Sequence, residues 1–339
     1  MRSSLIHTTN LSIGYTHKKA VRLVQKELSL SVGEGEMICL IGPNGCGKST
    51  LLRTLAGLQK PLAGDLFLGD LSLSTLSPSE RSKHLAVVLT DKVDIANFTV
   101  GNIVALGRHP YTNWLGQLTA EDHFLMDQSL DQVHLSAYKD RLLGELSDGE
   151  LQRAMIARAL VQDTPIILLD EPTAHLDLPN RVEVMMLLRE LAKQTHKSIL
   201  LSTHELDLAL QTSDLIWLMS AQKGVVVGAP EDLIIQGELQ QVFANPSYTF
   251  SDATGAFCLK HQTTLFSVSV VASGTGNCTI WTRRALERNG FSIVDNAACS
   301  IFVDEEKKTW KVSFQGKTII QSSISQLLQT LYQQATSSK

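Results

Sequence analysis

GPNGCGKST, residues 42–50, stands between the apolar run EMICLIG (36–42) and the helical run GKSTLLRTLAG (47–57). A strand that ends in this loop and reopens as a helix fits the pattern G-x4-G-K-[ST]. The glycines let the backbone turn its N–H groups toward phosphate, and the helix start adds its dipole. Lys48 has the reach for β- and γ-phosphates, and the Ser49 hydroxyl suits magnesium. Gly42, Pro43, Asn44, Gly45, Cys46, Gly47, Lys48, Ser49 and Thr50 are therefore the candidate cradle for ATP with Mg²⁺. Cys46 is a bystander here, though its modification would block the loop sterically.

A second element completes the chemistry. PIILLDEP (165–172) is an apolar strand ending in two carboxylates. Asp170 is placed to hold magnesium, directly or through water. Glu171 is placed to take a proton from an attacking water. Further buried-strand candidates, LAVVL (85–89), SILLST (198–203) and LIWLM (215–219), alternate with helical segments. That alternation predicts an α/β domain around a mainly parallel sheet. Val100 to Val161 reads as a helical subdomain. Within it LSDGE (146–150) opens a helix, with Ser147 as N-cap and Glu150 completing a capping box.

The first domain is expected to span residues 1–245, with a turn-rich linker over 246–262. Residues 263–339 then read as a small α+β domain: a strand at 265–272, a helix at 277–288, three short strands and a final helix at 323–334. Its SGTG (273–276), between strand and helix, is either a tight turn or an anion site at a helix start.

Composition is that of a globular chain, 43% apolar and 19% charged, with a net charge of −4 that argues against a nucleic-acid surface. No apolar run approaches the roughly 20 residues of a membrane span. The N-terminus lacks an apolar core of signal-peptide length, so the cytosol is expected. Five cysteines without a CxxC pair suggest neither a disulfide framework nor a zinc site.

GPNGCGKST, LSDGE, PIILLDEPTAHLD and LLSTHELD, in this order, resemble the ATP-binding subunit of ABC transporters over residues 5 to about 240. The resemblance implies a P-loop ATPase domain with an antiparallel β edge beside the parallel sheet. It implies a homodimer in which each ATP lies between one chain's phosphate loop and the other's signature, where Ser147, Gly149 and Glu150 stand. It also implies that Tyr15 stacks on adenine, that His204 senses the γ-phosphate and orients water, and that Asp177 contacts the partner chain.

Two departures from the family pattern stand out. Thr90 takes the place of the usual magnesium-binding Gln, and its hydroxyl is the candidate ligand there. Asp148 and Glu150 bring negative charge near phosphate, which Arg153 is expected to offset.

VALGRHPYTNWLG (104–116) is similar to importers of iron–siderophore, haem and cobalamin complexes, which carry GR-x-P at this place. Their ATPases dock on separate membrane permeases at the cytoplasmic face and serve, indirectly, a substrate-binding protein. The alternatives are a soluble ABC ATPase or an ATP-dependent regulator uncoupled from transport.

Overall fold

Met37–Ile41 is buried at every position, as are Ile166–Asp170 and Ser198–Ser202. Strands apolar throughout, rather than alternating, are those covered on both faces of a parallel sheet. The computed structural model describes all residues except 1–3, 18–19, 91–96, 252–254, 260–264, 275 and 338–339. Its contacts divide the chain into two compact units after Phe243.

The first unit runs β1 (Ile6–His17), β2 (Ala20–Leu28), β3 (Ser31–Val32), β4 (Met37–Ile41), α1 (Lys48–Leu55), β5 (Ala63–Leu68), β6 (Leu71–Ser72), α2 (Pro78–Arg81) and β7 (Leu85–Val88). It continues through α3 (Val100–Ala105), α4 (Ala120–Gln132), α5 (Asp148–Leu160), β8 (Ile166–Asp170), α6 (Leu178–Thr195) and β9 (Ser198–Ser202). It ends with α7 (Leu206–Thr212), β10 (Leu215–Ser220), β11 (Gly224–Gly228), α8 (Pro230–Ile235) and α9 (Glu238–Val242).

One sheet has the order β11-β10-β4-β9-β8-β7. All its pairings are parallel except β10 with β11 at the edge. Because β4, β9 and β8 are neighbours, their carboxyl ends bring the phosphate loop, Ser202–His204 and Asp170–Glu171 together. That is where open α/β sheets place their ligands. The second sheet, β2-β1-β5-β6 with β3 beside β1, is antiparallel. Ile6, Leu11 and Ile13 of β1 share one core with Ile38, Leu40 and Trp217 of the parallel sheet.

The helical subdomain is held by capping boxes at α3, α4 and α5. The GR-x-P stretch is a 3-10 turn over Leu106–Tyr111, and its arginine is buried. Arg108 Nε donates to Asp122 Oδ1 at 2.6 Å, and Nη1 to the Val161 carbonyl, at the end of α5, at 3.0 Å. Its guanidinium lies 4.1 Å from the Tyr111 ring centre. The motif therefore ties α4 to the far end of the LSDGE helix.

The stretch 246–262, expected as a linker, contains a hairpin of β12 (Tyr248–Ser251) and β13 (Ala256–Leu259). Four-residue strands are too short to show alternation. Phe257 packs edge-on against both Tyr248 and Phe250, which supplies the pairing that periodicity missed. The second unit continues with β14 (Ser267–Ala272), α10 (Asn277–Arg288), β15 (Ser292–Ile293), β16 (Cys299–Asp304), β17 (Thr309–Phe314), β18 (Lys317–Gln321) and α11 (Ile324–Ser337). Its sheet order is β15-β14-β16-β17-β18. Val268, Ile301, Val303 and Val312 on one face form a core with Leu286 of α10 and Leu327 of α11. Strand β18 was not anticipated; its residues are largely exposed and carry no apolar alternation.

The anion-site reading of SGTG is overturned. The start of α10 is filled by the chain's own Glu305, which accepts from the Cys278 and Thr279 main-chain N–H groups at 3.1 and 2.7 Å and from the Thr279 hydroxyl at 2.6 Å. A carboxylate so placed satisfies orphan helix N–H groups. The Thr279 hydroxyl, then those N–H groups, holds the Glu305 carboxyl below the usual range. Thr275 lies outside the described residues.

Candidate functional site

The phosphate loop leaves β4 through Gly42, where a Cβ would stand 2.1 Å from the Met219 carbonyl oxygen, so only glycine fits. Gly47 caps α1 at φ +113°, in the left-handed region that favours glycine. Lys48 is 5% exposed and folds back to donate from Nζ to the Gly42 carbonyl at 2.9 Å. Burial lowers its pKa, while Cys46, Glu171 and Asp170 pull the other way. The Cys46 thiol is buried and pushed up in pKa mainly by desolvation, so it is a slow nucleophile.

Asp170 meets the loop across the strand ends. Its Oδ1 accepts the Ser49 hydroxyl at 3.1 Å and the Ser202 hydroxyl at 2.7 Å. A serine hydroxyl and a carboxylate converging beside a phosphate loop are hard oxygen donors, the kind Mg²⁺ takes alongside its retained waters. Glu171 sits at φ +51°, an uncommon backbone for glutamate. Its Oε1 is 2.7 Å from His204 Nε2. Thr90, expected as a metal ligand, donates its hydroxyl to the Asp170 main-chain carbonyl at 2.7 Å and so bolts the end of β7 to β8.

Tyr15 is half exposed beside the loop, with its phenol 2.6 Å from Thr50 Oγ1. The cleft that holds Tyr15, Lys48, Ser49, Glu171 and His204 is also lined by Arg22 and Val24. Sequence reading missed these two. They lie on β2, where Arg22 pairs with Tyr15 in the antiparallel register, and that partner strand had not been traced.

LSDGE is built elsewhere. Ser147 caps α5, accepting the Glu150 N–H at 3.3 Å, while its own N–H and O–H donate to Glu150 Oε2 at 2.8 and 2.9 Å. The Ser147 main-chain N–H is the first cause holding the Glu150 carboxyl below its usual range. Gly149 is buried, and a Cβ there would stand 2.4 Å from Asn180 Oδ1. Asn180 in turn donates from Nδ2 to Asp177 Oδ1 at 2.6 Å. One side chain thus joins the LSDGE glycine to the cap of α6.

The charge on Glu150 faces Arg141 at 3.8 Å, a neighbour the sequence did not suggest. Arg153, expected in that role, also helps to hold the Glu150 carboxyl low, after Arg141, while its ion pair is with Glu183 at 3.0 Å. Neither Ser147, Gly149, Glu150 nor Asp177 lines the Tyr15–His204 cleft.

Comparison with known proteins follows the same division. Residues 25–174 match the family described as ABC transporter, and residues 267–332 match the iron ABC transporter C-terminal domain. An ABC transporter ATP-binding protein of Methanocaldococcus jannaschii is 37% identical over 258 residues, 76% of this chain and 88% of that one. A Bacillus subtilis protein named for a siderophore transport system is 38% identical over 244 residues, 72% of this chain and 87% of that one. Other relatives are named for iron(3+)-hydroxamate and cobalamin import. A bacterial ABC transporter cassette solved as a dimer superposes with a TM-score of 0.58 at 26% identity, covering 66% of this chain and 98% of that one. The chain belongs to the ATP-binding proteins of ABC transporters, the subunits that hydrolyse ATP to drive transport. Among its described residues no helix is long and apolar enough to cross a membrane.

Proposed function

We propose that this chain energises an importer of iron complexes, with an iron–siderophore as cargo, from the cytoplasmic face of the membrane. The observation that carries the cargo class is the match of residues 267–332 to an iron-transporter domain, supported by the relatives' names. Haem and cobalamin are the other cargoes of this importer type. A membrane permease would be the direct partner, and a substrate-binding protein an indirect one.

Hydrolysis is read as a shared-site reaction between two copies. The cleft beside the phosphate loop lacks Ser147 and Gly149, so a second chain arranged head to tail would supply them to the γ-phosphate, with Asp177 at the contact. Tyr15 would stack on adenine, a face-to-face contact worth about 1 kcal/mol. Lys48, released from the Gly42 carbonyl, would hold the β- and γ-phosphates together with the loop N–H groups. Ser49 and Asp170 would hold Mg²⁺, with Thr90 reaching it only through a free lone pair on its hydroxyl. The bound ion would supply neutralisation of the charge that develops on the transferred phosphoryl group. Glu171 would accept the proton of the attacking water, and His204, paired with Glu171, would orient that water against the γ-phosphorus.

The test has two parts. Glu171→Gln should lose ATPase activity and gather as an ATP-bound dimer on sizing columns. Loss of the gene should abolish uptake of radio-iron delivered as a siderophore chelate while leaving cobalamin uptake intact. The reverse uptake pattern would move the cargo to cobalamin. An active chain whose loss touches neither of these uptakes nor that of haem would point to a soluble ATPase or a regulator.

A further inference from the structure

We propose that Ser202 is a positioning residue of the hydrolysis step, a role that rests on the assignment of Asp170 and Glu171 above. Ser202 ends β9 and stands opposite Asp170 in the parallel register with β8. It is fully buried. Its hydroxyl donates to Asp170 Oδ1 at 2.7 Å and accepts the Glu171 main-chain N–H at 2.9 Å. A serine hydroxyl has one proton and two acceptor sites, so this arrangement uses the proton on one carboxylate and an acceptor site on the next residue's backbone.

The second of these bonds falls on the residue that needs it. At φ +51° Glu171 occupies a region that a residue with a Cβ keeps only when its surroundings hold it there. That turn directs the carboxylate across the strand ends to His204 Nε2 at 2.7 Å. The end of β9 therefore grips Glu171 twice, by the N–H through Ser202 and by the carboxylate through His204. From the other side Thr90 takes the Asp170 carbonyl. The peptide between Asp170 and Glu171 is thus fixed at both polar atoms by hydroxyls that no phosphate-loop or signature motif names.

The same hydroxyl orients Asp170. Ser49 and Ser202 both meet Oδ1, and Oδ2 takes no hydrogen bond from the described residues. Alanine at 202 would leave the Glu171 N–H without its acceptor and Asp170 with one hydroxyl rather than two. Glu171 could then relax out of the left-handed region and carry its carboxylate off line. Small displacements of this kind act on the rate of the chemical step rather than on nucleotide binding.

The experiment uses the full chain, with its permease where the isolated chain turns over too slowly to measure. Ser202→Ala should lower kcat about 10- to 100-fold while KM for ATP and the affinity for a fluorescent ADP analogue stay near wild type. Ser202→Thr keeps the hydroxyl and should recover most of the rate. Placed on Glu171→Gln, Ser202→Ala should cost clearly less in residual turnover than it does alone, because only its hold on Asp170 is left to lose. Amide exchange at residue 171 should quicken in Ser202→Ala and not in Ser202→Thr. Wild-type kcat in Ser202→Ala would overturn the proposal, and so would an equal loss in both Glu171 backgrounds. Because a methyl at a fully packed site can itself disrupt folding, the paired-variant arm stands without the threonine variant. Wild-type turnover in Glu171→Gln would instead overturn the carboxylate assignment on which the proposal rests.

Discussion

Lys48 and Asp170 are each 5% exposed, whereas Ser147 lies open to solvent and its partner Glu150 is only part-buried. The phosphate-loop region is anchored in the sheet core, where Asp170 Oδ1 is held by Ser49 and Ser202 and the Asp170–Glu171 peptide by Thr90 and Ser202. The LSDGE region is a surface helix start whose hydroxyl and carboxylate satisfy each other. Buried polar groups are fixed by the cost of leaving them unpaired. An exposed capping box is worth only about 1 kcal/mol and can exchange partners. The first region is therefore preformed in one chain. The second, on the reading proposed above, would give its hydroxyl to the phosphate held by another chain.

The sharpest way to break this comparison is Lys48→Ala. Losing one preorganised cationic donor should lower kcat about 10²- to 10³-fold, with the fold intact by circular dichroism. A mild effect would mean that the loop is not where the charge is stabilised. Next comes Arg108→Ala, which leaves the buried Asp122 carboxylate with only its Thr119 bonds and should cost about 3 kcal/mol in urea unfolding. If the helical subdomain tolerates it, GR-x-P is not the bolt described here.

Ser147→Ala tests the exposed region. Its stability cost should be about 1 kcal/mol, while on the proposed shared-site reading ATPase activity should fall at least about tenfold. Equal, small effects on both would reduce Ser147 to a cap alone. Glu150→Gln should give the smallest change: a few-fold tighter ATP-dependent dimer, worth under about 1 kcal/mol, measured by sedimentation.

The capping box also has a pH signature. The Glu150 carboxyl is held below its usual range in the folded chain. Its contribution is thus present above the unfolded value of about 4.3 and is lost as pH falls through the lower folded value. Melting curves from pH 7 to pH 3 should show that loss in the wild type and not in Glu150→Gln.

Much of this was legible in the sequence. Continuous apolar runs exposed the parallel strands, because full burial on both faces leaves no room for polar alternation. The phosphate loop was readable because its glycines and Lys48 sit in one unbroken stretch. The Ser147–Glu150 box was readable because a cap is a local, three-residue event. What only the tertiary structure decided were the pairings across distance. Glu305 filling the α10 start, Asn180 filling the space beside Gly149, Arg141 rather than Arg153 facing Glu150, and the Thr90 and Ser202 hydroxyls fixing the Asp170–Glu171 peptide all join residues with no periodic relation. Spacing along a chain reports which elements form, because hydrogen bonding and burial within an element are local. Which polar atom answers which depends on how the strands are ordered and how closely they pack, and that is settled only when the sheet is built.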